Sequence, residues 1–277
     1  MLATTNKIAR SEDYRTIISY VISNARMGEI QAVENYSEMV PLMPDTEAKI
    51  LTVKQAHDEG KHILVLERLA REIDVPIRES IVQHQWNNIR AACHEAAQQG
   101  DLVRCLLVQD LMVEALAIGM YRVFSSAANS DGGTAHVAAQ LLRDELDHLD
   151  LGVLRINEFL TQDRDRVHDS LRWAHHRVMP ELFDMVYRSC VYLAEHTNVH
   201  CAKTDMNGVS IDLEMLKMAA LDNYVEMLSM PNFDPAVINP LVASMSSYEP
   251  PASLLVGMPS TSCCATSEGN GHAPQGN

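Results

Sequence analysis

The sequence predicts an all-α fold, a bundle of long helices with shorter ones added around it. Two observations carry that prediction. Leu, Ala, Met, Glu and Gln are frequent while only 5% of residues are aromatic, a mix that favours helix over sheet. Apolar residues also recur at helical spacing over long stretches, and no alternation of period two runs far enough for a strand.

The elements run in order along the chain. Residues 12–39 carry an apolar stripe at Ile18, Ile22, Ala25, Val33 and Tyr36. The turn Pro41–Asp45 stops that helix, because proline lacks an amide donor and clashes inside one. Asp45 is placed to N-cap a second helix over about residues 46–72. Pro76 marks the start of a third, which runs to about residue 98. Gly100 ends it, and Asp101 caps a fourth over about residues 102–125. The segment Asn129–Gly133 reads as a loop, with Thr134 capping a helix to about residue 161. Helical patterns resume over about residues 166–197, with Pro180 as a kink, then over about 210–229 and 235–246. From Pro250 the composition turns to Pro, Gly and Ser, so 250–277 is expected to be a disordered C-terminal tail after one domain at 1–249.

Charge excludes several functions. The formal net charge is -15, from 37 acidic and 22 basic side chains. Such a chain lacks the basic surface that nucleic acid requires, and anionic lipid repels it. The six cysteines form no CxxC pair and suit neither a zinc site nor a disulfide framework. The opening MLATTNKIARSEDY lacks the apolar run of a secretory signal, and no stretch approaches the roughly 20 apolar residues of a membrane span. The expected setting is a reducing cytoplasm, with no transmembrane segment.

Two short words carry the chemistry. HDEGKH contains Glu59-x-x-His62, and RDELDH contains Glu145-x-x-His148. On a helix, positions i and i+3 share a face, so a carboxylate and an imidazole reach one point. Two further acids interrupt apolar stripes. Glu29 sits among Ile22, Ala25, Val33 and Tyr36; Glu114 sits among Leu107, Leu111, Ile118 and Tyr121. An unpaired carboxylate there costs several kcal/mol or must take up a proton. A shared pair of cations resolves all four problems.

A single ExxH in a Glu-rich helical chain is an ordinary solvated pair, so the joint order and setting carry the argument. That order, E, ExxH, E, ExxH, is the ligand pattern of ferritin-like di-iron and di-manganese bundles. Thirty residues separate Glu29 from Glu59 and thirty-one separate Glu114 from Glu145, each one helix, a turn and a return. The expectation is therefore a ferritin-like helical bundle with additional helices around a buried dimetal site. Its six ligands are Glu29, Glu59, His62, Glu114, Glu145 and His148. The other histidines form no comparable set, and the 15 methionines are read as core packing.

At these residues the sequence resembles the cyanobacterial aldehyde deformylating oxygenases, also called aldehyde decarbonylases. GEIQAVENY (Gly28–Tyr36), CLLVQDLMVEALAIGMY (Cys105–Tyr121) and RDELDHLDLG (Arg143–Gly152) are similar to three of that family's ligand segments. The likeness covers about residues 12–246. It implies two iron ions, with manganese as the alternative, and O2 as co-substrate. Glu29 and Glu114 would be terminal ligands, Glu59 and Glu145 bridging ones. Tyr36, Gln109, Tyr121 and Asp144 would line or support the site.

The implied reaction converts a fatty aldehyde to a hydrocarbon one carbon shorter plus formate. It uses electrons from a ferredoxin-like partner or another reductase. Leu107, Leu111, Met112, Ile118 and Met120 are candidates for an apolar substrate tunnel. Ala70 departs from the pattern, standing where a cysteine is common, and so does the wording around the first ligand pair. The residues alone leave room for a related di-iron oxygenase that hydroxylates, desaturates or N-oxygenates another small or acyl substrate. Metal storage is a further alternative.

Overall fold

Helix ends in this chain fall where short side chains can satisfy free backbone amides. In the computed structural model, which describes residues 11–126, 130–197, 204–206, 209–211 and 213–246, Ser11 opens α1 (Glu12–Met39). Its hydroxyl accepts from the Tyr14 amide at 3.1 Å. Asp45 caps α2 (Thr46–Glu72) through the Ala48 amide at 2.8 Å. Such a cap stabilises a helix by about 1 kcal/mol. Pro41, in the tight turn Val40–Leu42, separates the two.

The third helix begins later than Pro76. Residues 76–82 are irregular and α3 spans Gln83–Gln98. A proline biases the residue before it towards extended backbone. Here the segment is tied down by Ser19 Oγ on the Pro76 carbonyl and by the Arg78 amide on Ser23 Oγ. Gly100, at φ 68°, ends α3 as expected, with the Asp101 amide reaching back to the Ala96 carbonyl.

The rod expected over residues 102–125 is interrupted. α4 (Leu102–Leu106) passes into a π-helical segment, Leu107–Val113, before α5 (Glu114–Phe124). A π-segment adds residues to a turn and rotates the downstream residues relative to a regular helix. α6 (Gly132–Gln162) is capped by Asp131 rather than Thr134: Asp131 Oδ1 accepts from the Gly133 and Thr134 amides, while the Thr134 hydroxyl donates to Asp131 Oδ2. α7 (Arg164–His196) continues through Pro180.

The sequence offered no strand. Yet Thr204–Met206 (β1) and Val209–Ile211 (β2) form a short antiparallel pair, with Asp205 opposite Ser210. Three residues a side are too few to show a period. α8 (Leu213–Ser229), which the sequence started slightly earlier, and α9 (Pro235–Ser246) complete the described chain. The expected tail, 250–277, lies outside the described residues. Among them, no helix is long and apolar enough to cross a membrane.

Packing places the acids. α1 lies along α2, and α5 along α6, with α2 also against α6. The buried apolar side chains of the described residues form two clusters, with half-buried Leu142 packed against both. One takes Tyr14–Ala25 of α1, Leu66–Ile73 of α2, Tyr121 and Phe124 of α5, and Ala138 and Leu141 of α6. The other takes Ala32–Met39 of α1, the π-segment, Ile118, and Leu149 and Ile156 of α6, with much of α3 and α7. Between them runs a polar layer that crosses α1, α2 and α6 well inside their lengths and meets α5 at its first residue.

Candidate metal centre

That layer holds all six ligand candidates, none more than 5% exposed. A solvated surface pair is thereby excluded for either ExxH. Glu29 lies between Ala25 and Ala32 on α1, and Glu114 opens α5 directly after the π-segment. Glu59 with His62 on α2, and Glu145 with His148 on α6, each occupy one helix face.

The geometry is that of two overlapping cages. Glu29, Glu59, His62 and Glu145 offer ligand atoms all within 4.8 Å of one another, and so do Glu59, Glu114, Glu145 and His148. Glu59 and Glu145 belong to both sets. His62 Nδ1 is 3.1 Å from Glu59 Oε2, 3.1 Å from Glu145 Oε1 and 3.4 Å from Glu29 Oε2. His148 Nδ1 is 3.0 Å from Glu59 Oε1 and 3.2 Å from Glu145 Oε2. Each shared carboxylate thus turns one oxygen to each imidazole.

These contacts are close without being fully hydrogen-bonded. Glu59 Oε1, both Glu145 oxygens and both His148 nitrogens are buried with no hydrogen-bond partner. Buried polar atoms without partners are rare in native proteins. Lone pairs converging on shared points fit two cations, and the carboxylate and imidazole donors suit iron or manganese.

Around the cages, donors hold the carboxylates in place. The Tyr121 hydroxyl donates to Glu29 Oε1. Tyr36 and Gln109 both donate to Glu114 Oε1, at 3.1 and 3.0 Å, and Asn35 orients Gln109 at 2.7 Å. Asp144 Oδ2 lies 3.2 Å from His62 Nε2. All four residues expected to support the site therefore touch one of the six.

The sequence pattern gave no sign of a second chain of contacts. Arg155 donates to Gln55 and Thr52, and Gln55 donates to the Tyr36 hydroxyl, which leads on to Glu114. Arg155 also stands 4.0 Å from Asp110, whose carboxyl burial pushes up to about 6 against the opposing pull of Arg155. Nothing in the local spacing of Gln55, Asp110 and Arg155 marks them. Asp58 was missed as well, although it precedes Glu59 as Asp144 precedes Glu145.

Electrostatics explain what the cages hold in the absence of metal. Burial, then repulsion from Glu145 and Glu59, raises the Glu29 and Glu114 carboxyls well above the ordinary range. Glu59 is also buried, but the imidazoles of His148 and His62 close beside it hold it far below that range. Burial alone would lower both imidazoles. The carboxylates of Glu145 and Glu59 outweigh it at His148 and push it up to about 11; Glu145, Glu29 and Glu59 raise His62 still further.

Metal binding must expel these protons. Loading the metal-free protein at neutral pH is therefore expected to release protons, and affinity to fall as pH falls, by about tenfold per unit for each proton displaced. Titration calorimetry in buffers of different ionisation enthalpy measures this directly. Loading is also expected to raise Tm, since a ligand at about 100 Kd adds roughly 2.7 kcal/mol of stability.

An apolar cavity opens onto the site. Its water-sized interior is about 150 Å³, and Glu29, Glu59, Glu114 and Glu145 form part of its wall. Ala25, Trp86, Phe124, Met185 and Leu193 line the remainder with others. Of the five tunnel candidates only Met120 is on this wall. Leu107, Leu111, Met112 and Ile118 are fully buried in the second cluster. The cavity face runs instead through Gln109, Val113, Leu116, Ala117, Met120 and Phe124. That face and the one carrying Leu107, Leu111 and Ile118 both recur at helical spacing, so periodicity alone does not tell which of them meets the cavity.

A four-carboxylate, two-imidazole cage inside such a bundle defines the ferritin-like dimetal carboxylate proteins. Within that class, residues 11–196 match the sequence model of the long-chain fatty aldehyde decarbonylases, and the chain belongs to that family. Solved structures agree on the fold. A protein from Synechococcus with aldehyde deformylating oxidase activity superposes with a TM-score of 0.68 at 19% identity, covering 84% of this chain and 97% of that one. A variant of an R2-like ligand-binding oxidase with a reconstituted Mn/Fe cofactor superposes at 0.65 and 16% identity, covering 81% and 83%.

Proposed function

We propose that this protein is an O2-dependent oxygenase that converts a fatty aldehyde to a hydrocarbon one carbon shorter, releasing formate. The observation that carries the proposal is the apolar cavity ending on the carboxylates of a family-typical dimetal cage. Glu29, Glu59, His62, Glu114, Glu145 and His148 would hold two iron ions, or manganese in their place. When bound, those ions supply reductive activation of O2 and polarise the aldehyde carbonyl.

The chain's own residues do the rest. The cavity wall binds an alkyl chain by apolar burial, at about 25 cal/mol per Å² removed from water, and points its carbonyl end at the cages. Ala25, Trp86, Phe124 and their neighbours exclude water. Tyr36, Tyr121 and Gln109 keep the outer carboxylates oriented. Burial holds both phenols protonated well above pH 10, so they remain donors through turnover.

Atom balance fixes what must be delivered. One aldehyde and one O2 yield hydrocarbon, formic acid and water only with four electrons and four protons. The C–C bond to the carbonyl breaks, the alkyl carbon gains hydrogen, and O2 is reduced into formic acid and water. The electrons are assigned to a ferredoxin-like protein or another reductase. The catalytic unit is assigned to residues 1–249 and to a cytoplasmic setting.

Product analysis tests the proposal. Iron-loaded protein, O2, a reductant and an aldehyde panel should give formate and the shortened hydrocarbon in equal amounts. Oxidised product of unchanged carbon count would point to hydroxylation or desaturation instead. Formate from no aldehyde of any length would end the proposal.

Cavity length predicts selectivity. Tyr20 is on the wall and its hydroxyl lies 2.5 Å from Ser189 Oγ. It precedes Glu29 by nine residues, or about 13.5 Å along α1. Tyr20→Ala is expected to move the chain-length optimum upward, changing kcat/KM for the longest aldehydes by about tenfold or more. An unchanged optimum would show that the chain runs elsewhere.

A further inference from the structure

Each ExxH pair is preceded by an aspartate, and the two aspartates cross over. Asp144, beside Glu145, lies 3.2 Å from Nε2 of His62; Asp58, beside Glu59, lies 3.9 Å from Nε2 of His148. The crossing is unequal. Lys61 Nζ stands 2.5 Å from Asp58 Oδ1 and draws that carboxylate away, and His148 Nε2 is left buried without a hydrogen bond. A carboxylate on the far nitrogen of a ligating imidazole fixes its tautomer and raises its basicity. His62 has this support at hydrogen-bond distance, whereas His148 receives it weakened by length and by the ammonium.

The terminal carboxylates differ in the same sense. Glu29 Oε1 accepts from Tyr121, while Glu114 Oε1 accepts from both Tyr36 and Gln109. Each added donor withdraws charge that a cation would otherwise receive.

We propose that the two cation positions are unequal. The position bounded by Glu29, Glu59, His62 and Glu145 is tight; the one bounded by Glu59, Glu114, Glu145 and His148 is weak. Asp58 positions His148, and Lys61 sets how weak that position is. This rests on the assignment of the six ligands.

Stepwise addition of Mn2+ to metal-free full-length protein tests it, with free Mn2+ followed by electron paramagnetic resonance. The wild type should bind one equivalent at least tenfold more tightly than a second. Asp58→Asn should weaken the second step by about tenfold and spare the first, and Asp144→Asn should weaken the first. Lys61→Met should strengthen the second step, a gain that damage to the fold cannot produce. Two equal steps in the wild type, or no gain in Lys61→Met, would overturn the proposal. A failed ligand assignment looks different: Glu59→Ala would then bind both equivalents as the wild type does.

Discussion

Glu59→Ala or Glu145→Ala is expected to remove both cations and all measurable turnover, whereas Glu29→Ala or Glu114→Ala should remove one. The difference arises from membership. Glu59 and Glu145 each belong to both cages, while Glu29 and Glu114 belong to one apiece. A cage that loses a shared carboxylate keeps one imidazole and two acids, too few donors to hold an ion in competition with water. Metal analysis after gel filtration should read near zero for the shared positions and about one per chain for the outer ones. Full occupancy in Glu59→Ala would contradict the assignment. A control separates binding from folding. Because burial and the neighbouring Glu145 and Glu59 carboxylates disfavour charge on Glu29, the neutral amide of Glu29→Gln is a close match in shape and charge. That variant should melt no lower than metal-free wild type, yet lose one cation.

Gly152→Ala is expected to be the most damaging small substitution outside the ligands. A Cβ built on Gly152 would stand 2.4 Å from the Asp110 Cβ and 3.0 Å from Asp110 Oδ2. The nearest obstacle is fixed directly to backbone, so no rotamer change relieves it. α6 must move away from the π-segment, at a cost of about 1–3 kcal/mol for overpacking. In a chain of this size that lowers Tm by roughly 2–12 °C. The displacement should matter more for chemistry than for stability. Gly152 is one turn from His148, and Asp110 is one turn from Glu114, so the contact sets the distance between two ligand helices. Misplacement by about 1 Å can cost a hundredfold in rate. Thermal melts and kcat measured on the same preparation test both effects; wild-type values for each would show that the approach is adjustable.

The site was more legible in the sequence than the path leading to it. Glu59 with His62, and Glu145 with His148, announce themselves by i, i+3 spacing. Glu29 and Glu114 stand out because each spoils an apolar stripe. That pattern is local, and helices preserve local spacing. The cavity is a different case. Its wall joins Ala25 of α1, Trp86 of α3, Met120 of α5 and Leu193 of α7, residues whose proximity only packing creates. Leu107, Leu111, Met112 and Ile118 pack into the core instead, because more than one face of that stretch is apolar at helical spacing and only the neighbouring helices decide which face meets the cavity. Leu107–Val113 also winds as a π-segment. No residue type in LVQDLMV signals that winding. Arg155 and Asp110 were unreadable for a similar reason: a buried pair between helices has no sequence spacing of its own. Asp58 is the exception, since the doubled Asp-Glu-x-x-His was visible before the fold was known.

The division of the interior into two apolar halves has a consequence for how the molecule opens. A charged stratum at mid-height leaves the bundle without one continuous hydrophobic spine. With cations in place, the stratum is cross-linked and the halves should rise and fall together as a single cooperative unit. Stripped of them, it becomes a seam, and amides near Ile17 and Leu141 should exchange hydrogen on a schedule independent of those near Ile89 and Ile156.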